Sequence, residues 1–442
     1  MNIQLSDHFN YRKLLRITLP CIIMMVFTSI YGVVDGFFVS NFVGKTPFTA
    51  VNFIMPFLMI LGSAGFMFGT GGGALIAKTI GEGRLEKAKH LFSLIVYTSM
   101  VCGVVLAVLG ILFLRPLASA LGAEGQLLED SVKYGRIILF AIPAYILQFE
   151  FQCLFATAGK PTLGLYVTIA AGFTNMILDA LFVAVFQWGL EGAAAATAIS
   201  QCVGGIAPLI YFARPNDSTL QLGKTEFDGK SLVKTCINGS SELMSNIAMS
   251  VVSMLYNVQL LKYAGEDGIA AYGVLMYVSM IFQAIFIGYS VGIAPVTGYH
   301  YGAGNHKELK GVLRKSLVLI GAFAVAMFAA AYIFARPLSV LFVGYDEGLL
   351  NLTVRAFSIF SFSFLFSGFA IFGSSFFTAL NNGLVSAAIS FMRTLVFQIA
   401  AVLIFPLFWN VDGIWLSIVA AEMMAVVITV IFLRVNQKKY QY

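Results

Sequence analysis

Apolar runs of about 20 residues recur from one end of this 442-residue chain to the other, and their length constrains the fold more than any motif does. They fall at roughly 14–43, 48–70, 91–114, 134–158, 162–187, 190–213, 235–262, 269–294, 313–335, 349–379, 383–407 and 412–433. At 1.5 Å per residue each is long enough, as a helix, to cross a hydrocarbon core of about 30 Å. Composition agrees: 59% of residues are apolar and 11% charged, against roughly 25% charged in soluble domains. Inside a bilayer every backbone polar group needs a partner within its own segment or closed sheet, and the runs lack the alternation of barrel strands. The expected fold is an all-α integral membrane protein of twelve transmembrane helices. The first run follows Arg12, Lys13 and Arg16 as in a signal peptide, but its length and lack of a small-residue cleavage site predict a retained span. Cys21, Cys102, Cys153, Cys202 and Cys236 all fall in or at the end of apolar runs without a C-x-x-C pair, so neither a disulfide framework nor a metal site is expected.

Basic residues set the orientation. With the N-terminus in the cytoplasm, the inner segments carry Arg12, Lys13, Arg16, Lys78, Arg84, Lys87, Lys89, Lys160, Arg214, Lys224, Lys230, Lys234, Lys307, Lys310, Arg314, Lys315, Arg434, Lys438 and Lys439. The outer segments hold only Lys45, Arg115, Lys133, Arg136, Lys262, Arg336 and Arg355. This bias predicts both termini in the cytoplasm, and the expected location is the plasma (inner) membrane. The net charge of +6 is spread over loops as a topology signal, so no nucleic-acid surface is expected.

The chain also repeats itself at an offset of 221 residues. Gly44/Gly265, Met55/Met276, Met59/Met280, Gly71/Gly292, Gly81/Gly302, Gly83/Gly304, Lys89/Lys310 and the triplet Arg115-Pro116-Leu117/Arg336-Pro337-Leu338 all obey it. Six spans per repeat is an even number, so both halves enter from the same side and relate by an axis along the membrane normal. The predicted organisation is an N-terminal six-helix lobe over 1–213, a cytoplasmic linker over 214–233 and a C-terminal six-helix lobe over 234–442, pseudo-symmetric around a central cleft.

Ionisable residues inside spans are costly and are functional candidates for that reason. Asp35, Asp179 and Thr197 lie at similar depths near the outer ends of the first, fifth and sixth spans, and Asn175 sits one turn from Asp179 on the same helical face. Two carboxylates, an amide and a hydroxyl can hold Na⁺ through hard oxygen ligands, or protons, because neighbouring buried carboxylates resist joint ionisation. The alternative is that both acids merely satisfy polar contacts near the interface. At the 221 offset these residues become Tyr256, Ala400, Ile418 and Val396, so the acidic cluster belongs to one lobe only.

The two six-span halves, the turns Gly81-Glu82-Gly83 and Gly302-Ala303-Gly304, Asp412-Gly413-Ile414-Trp415, and Pro20 together with Asp35, Asn175, Asp179 and Thr197 resemble the multidrug and toxic compound extrusion (MATE) family, in its DinF-type branch. The resemblance covers essentially the whole chain. It implies antiport: inward flow of H⁺ or Na⁺ drives export of small amphipathic, often cationic, compounds by alternating access, with no other cofactor and with the monomer as the working unit. It implies that Asp35, Asn175, Asp179 and Thr197 form the cation site, with no metal beyond Na⁺, and that Pro20 supplies a first-span kink responsive to protonation. Without the resemblance, Pro20 reads as an ordinary proline near a helix start. The chain departs from the NorM-type pattern: its tenth span has no acid, and Glu242 lies near the inner end of the seventh, where it would snorkel to the interface or face the inner vestibule. No C-lobe cation site is therefore carried over.

Arg393 and Glu422 fall near the midplane of antiparallel neighbours, where they would either pair or leave Arg393 to an anionic substrate group. Glu150, flanked by Gln148 and Gln152, would attract a cation in the cleft or serve as a second partner for Arg393. Met55, Met59, Met276, Met280 and Phe282 are candidates for an adaptable apolar cleft lining. Gly72–Thr79 superficially matches a phosphate-binding loop, but Ala77 replaces the needed glycine and no strand precedes it. With neither H-E-x-x-H nor G-x-S-x-G present, an enzyme is not expected. The alternative to an ion-coupled exporter is a flippase for a lipid or lipid-linked precursor, which a strongly cationic cleft would favour.

Overall fold

The computed structural model describes residues 4–442, and they are helical wherever they are regular. The spans are α1 (Tyr11–Val43), α2 (Thr46–Gly81), α3 (Leu85–Ala120), α4 (Gly125–Phe140 and Ile142–Thr157, bent by 59°), α5 (Pro161–Val185) and α6 (Gly189–Ala213). A 74-residue helix, Gly229–Gly302, follows. It is two spans, α7 (229–264) and α8 (266–302), because Gly265 stands at φ 67°, ψ −156° and breaks the helix. Then come α9 (His306–Ile333), α10 (Glu347–Ala379), α11 (Gly383–Ile404) and α12 (Pro406–Tyr440). The predicted twelve spans are therefore present, several running beyond the predicted ends into the basic loops. Asn10, Asp228, Asn305, Asp346 and Asn382 supply side-chain caps at helix starts, satisfying amide groups that a helix terminus leaves unpaired.

The repeat is visible in the backbone. Gly44 (φ 122°) and Gly265 (φ 67°) make the first turn of each half, and Gly83 (φ 77°) and Gly304 (φ 67°) make the second. All four adopt left-handed backbone that a residue without Cβ takes at no steric cost. The lobes touch reciprocally at the same offset. A Cβ at Gly81 would overlap the Tyr299 carbonyl, and one at Gly302 would overlap the Lys78 carbonyl, its symmetry mate. Gly71 abuts Thr235 and Gly239 of α7, while Gly292 abuts Thr18 of α1. These approaches all lie in the half of the molecule that carries both chain termini, hereafter the terminal face. Cys21, Met24, Met25, Cys153, Ala156, Ala284 and Val291 form a small buried cluster at this seam. In the opposite half, Gly32 of α1 and Gly273 of α8 have open space beside them.

Part of the expected linker is not a free tether. Gly223 N–H donates to Ser93 (3.0 Å), the Tyr97 hydroxyl to the Gly223 carbonyl (3.1 Å), and Leu220 is fully buried. Asp217 accepts from Lys160 (2.6 Å) and Tyr211 (3.0 Å), and these donors hold its carboxyl below the usual carboxylate range. Residues 214–228 are thus bound to the N-lobe, and 229–233 already belong to α7 because Asp228 caps it. Across the terminal face the N-terminal segment reaches the C-lobe: the Phe9 ring is fully buried edge-on to His300 (6.2 Å), its N–H donates to Glu308 (2.8 Å), and Lys315 donates to its carbonyl. Phe9→Ala keeps those backbone bonds and removes only the ring. It is expected to cost about 3 kcal/mol, read as a lowered thermal midpoint of the detergent-solubilised protein.

Candidate functional site

Asp35 on α1, Asn175 and Asp179 on α5 and Thr197 on α6 meet inside the N-lobe. Asp35, Asn175 and Asp179 are buried. Asn175 donates to the Thr197 hydroxyl (3.4 Å), which donates to Asp35 (3.4 Å). The carboxyl groups of Asp35 and Asp179 lie within reach of each other. Apart from that contact between the two acids, neither Asp179 oxygen, nor the Asn175 carbonyl oxygen, has a hydrogen-bond partner among the described residues. No Lys or Arg pairs with either acid there. Buried oxygens left in this state cost free energy unless a cation or proton joins them. The donor set is all oxygen, which suits a hard cation.

Two features of this site were not legible in the sequence. Tyr134 of α4 is fully buried, with its hydroxyl facing Thr197, Asp35 and Asp179. Its position near the start of a span, between two basic residues, carried no signal. The second is backbone: α1 changes to π-helix over Val39–Val43, four residues after Asp35, and α5 does so over Ala180–Val185, immediately after Asp179. Such widened turns are rare and concentrate at functional positions. A third π segment, Met392–Val396, contains Arg393.

The C-lobe counterpart is closed. Tyr256, the symmetry mate of Asp35, donates to Gln398 at 2.6 Å and stacks on Tyr272 at 5.4 Å between centroids. A neutral, hydrogen-bonded tyrosine therefore stands where the N-lobe has Asp35, and Ala400 where it has Asp179.

The remaining candidates separate. Arg393 binds Glu422 through two hydrogen bonds of 2.9 and 3.0 Å, so its charge is neutralised within the C-lobe. Glu150 is not in the cleft and does not meet Arg393: it is 0% exposed and accepts from Ser99 of α3, because α4 turns that face into the N-lobe. Phe282 packs against Phe364 (5.1 Å), and Met55 and Met276 are partly buried against the cores of their lobes. Met59 and Met280 are 46% and 43% exposed. They lie three turns along the same helical faces from Thr70 and Val291, which line a small cavity between the lobes together with Thr157, Pro295 and Thr378. Glu242 also lines that cavity, so it faces the seam and does not snorkel to the interface. Pro20 is the tenth residue of α1, beyond the first turn. There its missing N–H removes a helix hydrogen bond and marks a weak point of the span.

Comparison with known proteins places this architecture. The MatE family model matches residues 20–181 and again 243–404, one copy in each lobe. The chain is 27% identical over 319 residues to the multidrug export protein MepA of Staphylococcus haemolyticus, covering 72% of this chain and 70% of that protein. It is 23% identical over 416 residues to MepA of Staphylococcus aureus strain MRSA252, covering 94% and 92%. Among solved structures it superposes on an outward-facing conformation of a multidrug resistance MATE family transporter of the MOP superfamily, with a TM-score of 0.94 at 21% identity over 100% of this chain and 98% of that one. A crystal structure of MATE in complex with MaL6 gives 0.93 at 21% identity, over 98% of each chain. With two copies of the family model spanning most of its length and the fold shared throughout, this multi-pass membrane protein belongs to the MatE family of transporters.

Proposed function

We propose that this chain exports small amphipathic, often cationic, organic compounds by alternating access, driven by H⁺ or Na⁺ bound at Asp35, Asn175, Asp179 and Thr197, with Tyr134 as an added oxygen. The observation that carries the reading is the pair of adjacent buried carboxylates with no Lys or Arg partner among the described residues. Two such groups cannot both stay charged at low cost in a dry interior. A bound cation or proton relieves them, so site occupancy is tied to which face the lobe presents to water. Release of that cation to the terminal face reloads the site with unfavourable charge, and the free energy so supplied drives the lobes back.

The relatives named above as multidrug export proteins support the substrate class. Met59 and Met280 supply polarisable apolar surface in the cleft, suited to unlike substrates. The arrangement gives no support to a flippase, because Arg393, the one basic residue deep in a span, is held by Glu422 and offers nothing to a lipid phosphate. The excess of basic residues in the loops of the terminal face supports a cytoplasmic location for that face and both termini, in a protein of the plasma membrane. The monomer is the working unit, with bilayer lipid as its surroundings and no nucleic-acid partner.

The test is efflux of a fluorescent lipophilic cation from proteoliposomes under a proton gradient and, separately, a sodium gradient. Movement under one gradient names the ion, and its loss in Asp35→Asn ties the ion to this site. Equal movement with neither gradient present would sink the antiport reading.

A further inference from the structure

A cavity of about 620 Å³ lies between the start of α7 and the start of α11, at the terminal face. Its walls combine Lys230 and Lys234 with Val233, Ile237 and Leu384. The apolar members are not covered by protein: Val233 is 60% and Leu384 76% exposed. Helical geometry says what they face. Glu242 marks the side of α7 turned to the seam between the lobes, and Val233, Ile237 and Val251 stand near the opposite side at about 100° per residue. The cavity therefore opens toward lipid, where the apolar part of α7 ends and its basic part begins.

Charge in the cavity is of one sign. Neither the Lys230 nor the Lys234 ammonium is paired with a carboxylate among the described residues, and Lys78 and Lys87 add their field at Lys234. Asp228, the acid just before α7, is occupied as its cap, accepting from Lys230 N–H (3.1 Å), Ser231 N–H (3.2 Å) and the Ser231 hydroxyl (2.6 Å). The start of α11, capped by Asn382 through Val385 N–H, points its positive end into the same space. Paired ammonium groups at headgroup depth above an exposed apolar wall match one molecule: a phosphate carrying two acyl chains.

We propose that this cavity binds an anionic glycerophospholipid, its phosphate held between Lys230 and Lys234 and its chains laid along Val233, Ile237 and Leu384. The site depends on neither the coupling ion nor the exported compound. Because α7 packs Gly239 against α2 of the other lobe, a lipid seated here bears on the helix that closes the seam.

The experiment is native mass spectrometry of the purified full chain in detergent micelles doped with phosphatidylglycerol or with phosphatidylcholine. Wild type is compared with Lys230→Gln/Lys234→Gln, with the charge-preserving Lys230→Arg/Lys234→Arg, and with Lys307→Gln/Lys310→Gln, an exposed basic pair of the same face. The first phosphatidylglycerol is expected to bind wild type and the Arg variant with similar affinity. It should bind the Gln variant about thirty-fold more weakly, the product of two single-charge contributions, with less than a twofold change in the Lys307/Lys310 variant. Equal retention of phosphatidylcholine and phosphatidylglycerol by wild type would overturn the proposal. So would an equal loss in both Gln variants, since that is diffuse attraction to a basic face, and so would undiminished binding in Lys230→Gln/Lys234→Gln.

Discussion

Asp179→Asn is expected to abolish gradient-driven export while leaving the protein folded. The amide is nearly the size of the carboxylate, and outside the contact with Asp35 neither Asp179 oxygen accepts a hydrogen bond that the change would break. What disappears is the ability to gain and lose charge. A tenfold gradient of one coupled ion is worth about 1.4 kcal/mol, about tenfold in accumulation of the exported compound. The variant should forfeit that whole factor, measured as dye efflux from proteoliposomes beside wild type at equal protein content. Exchange of labelled for unlabelled substrate with no gradient should lose less. Full gradient-dependent efflux from Asp179→Asn would remove the N-lobe acids from the coupling step and return them to a role in polar packing.

Gly239→Val should stop transport by another route. Gly239 faces the backbone of Met67, whose carbonyl carbon and Cα would lie 2.7 and 2.8 Å from an added Cβ, and a Cβ added at its partner Gly71 would lie 2.6 Å from the Gly239 nitrogen. Backbone cannot give way as the end of a flexible side chain does, so two β-branches at this point wedge α7 from α2 and hold the seam open at the terminal face. Export should fall about tenfold or more, because a transporter that cannot close one face cannot alternate. The structural readout is a thiol. Thr70→Cys, placed in the small cavity after replacement of the five free cysteines, should be protected from a water-soluble maleimide in the wild-type background and labelled rapidly with Gly239→Val. Wild-type export with the thiol still protected would show that the glycine contact does not govern closure.

Much of the site was legible because spans are long and charges in them are few. Asp35, Asn175, Asp179 and Thr197 could be set in one layer by counting residues from the span ends, and i, i+4 spacing put Asn175 and Asp179 on one face. Arg393 and Glu422 could be matched in depth in the same way. Counting fails for direction about the helix axis when every neighbour is apolar. Glu150 was placed at the right depth but on the wrong side, because the sequence around it carries no polar stripe to show which face meets α3. Tyr134 went unnoticed because a tyrosine near a span end reads as an interfacial anchor, and only packing turns its hydroxyl into the acid cluster.

The amino-acid sequence by itself determined the class, the twelve spans, the repeat and the depth of each ionisable group. These follow from one-dimensional quantities: run length against bilayer thickness, charge against loop position, and self-similarity at a single offset. Tertiary structure decided the rest, since it depends on rotation and close approach between helices. It placed the π-helical turns beside Asp35 and Asp179, closed the C-lobe counterpart with Tyr256 and Gln398, and chose Gly71, Gly81, Gly239 and Gly302 as the points where the lobes touch. A glycine in a membrane helix is common and carries no mark of its partner. Only the second helix, brought within backbone distance, turns it into a contact.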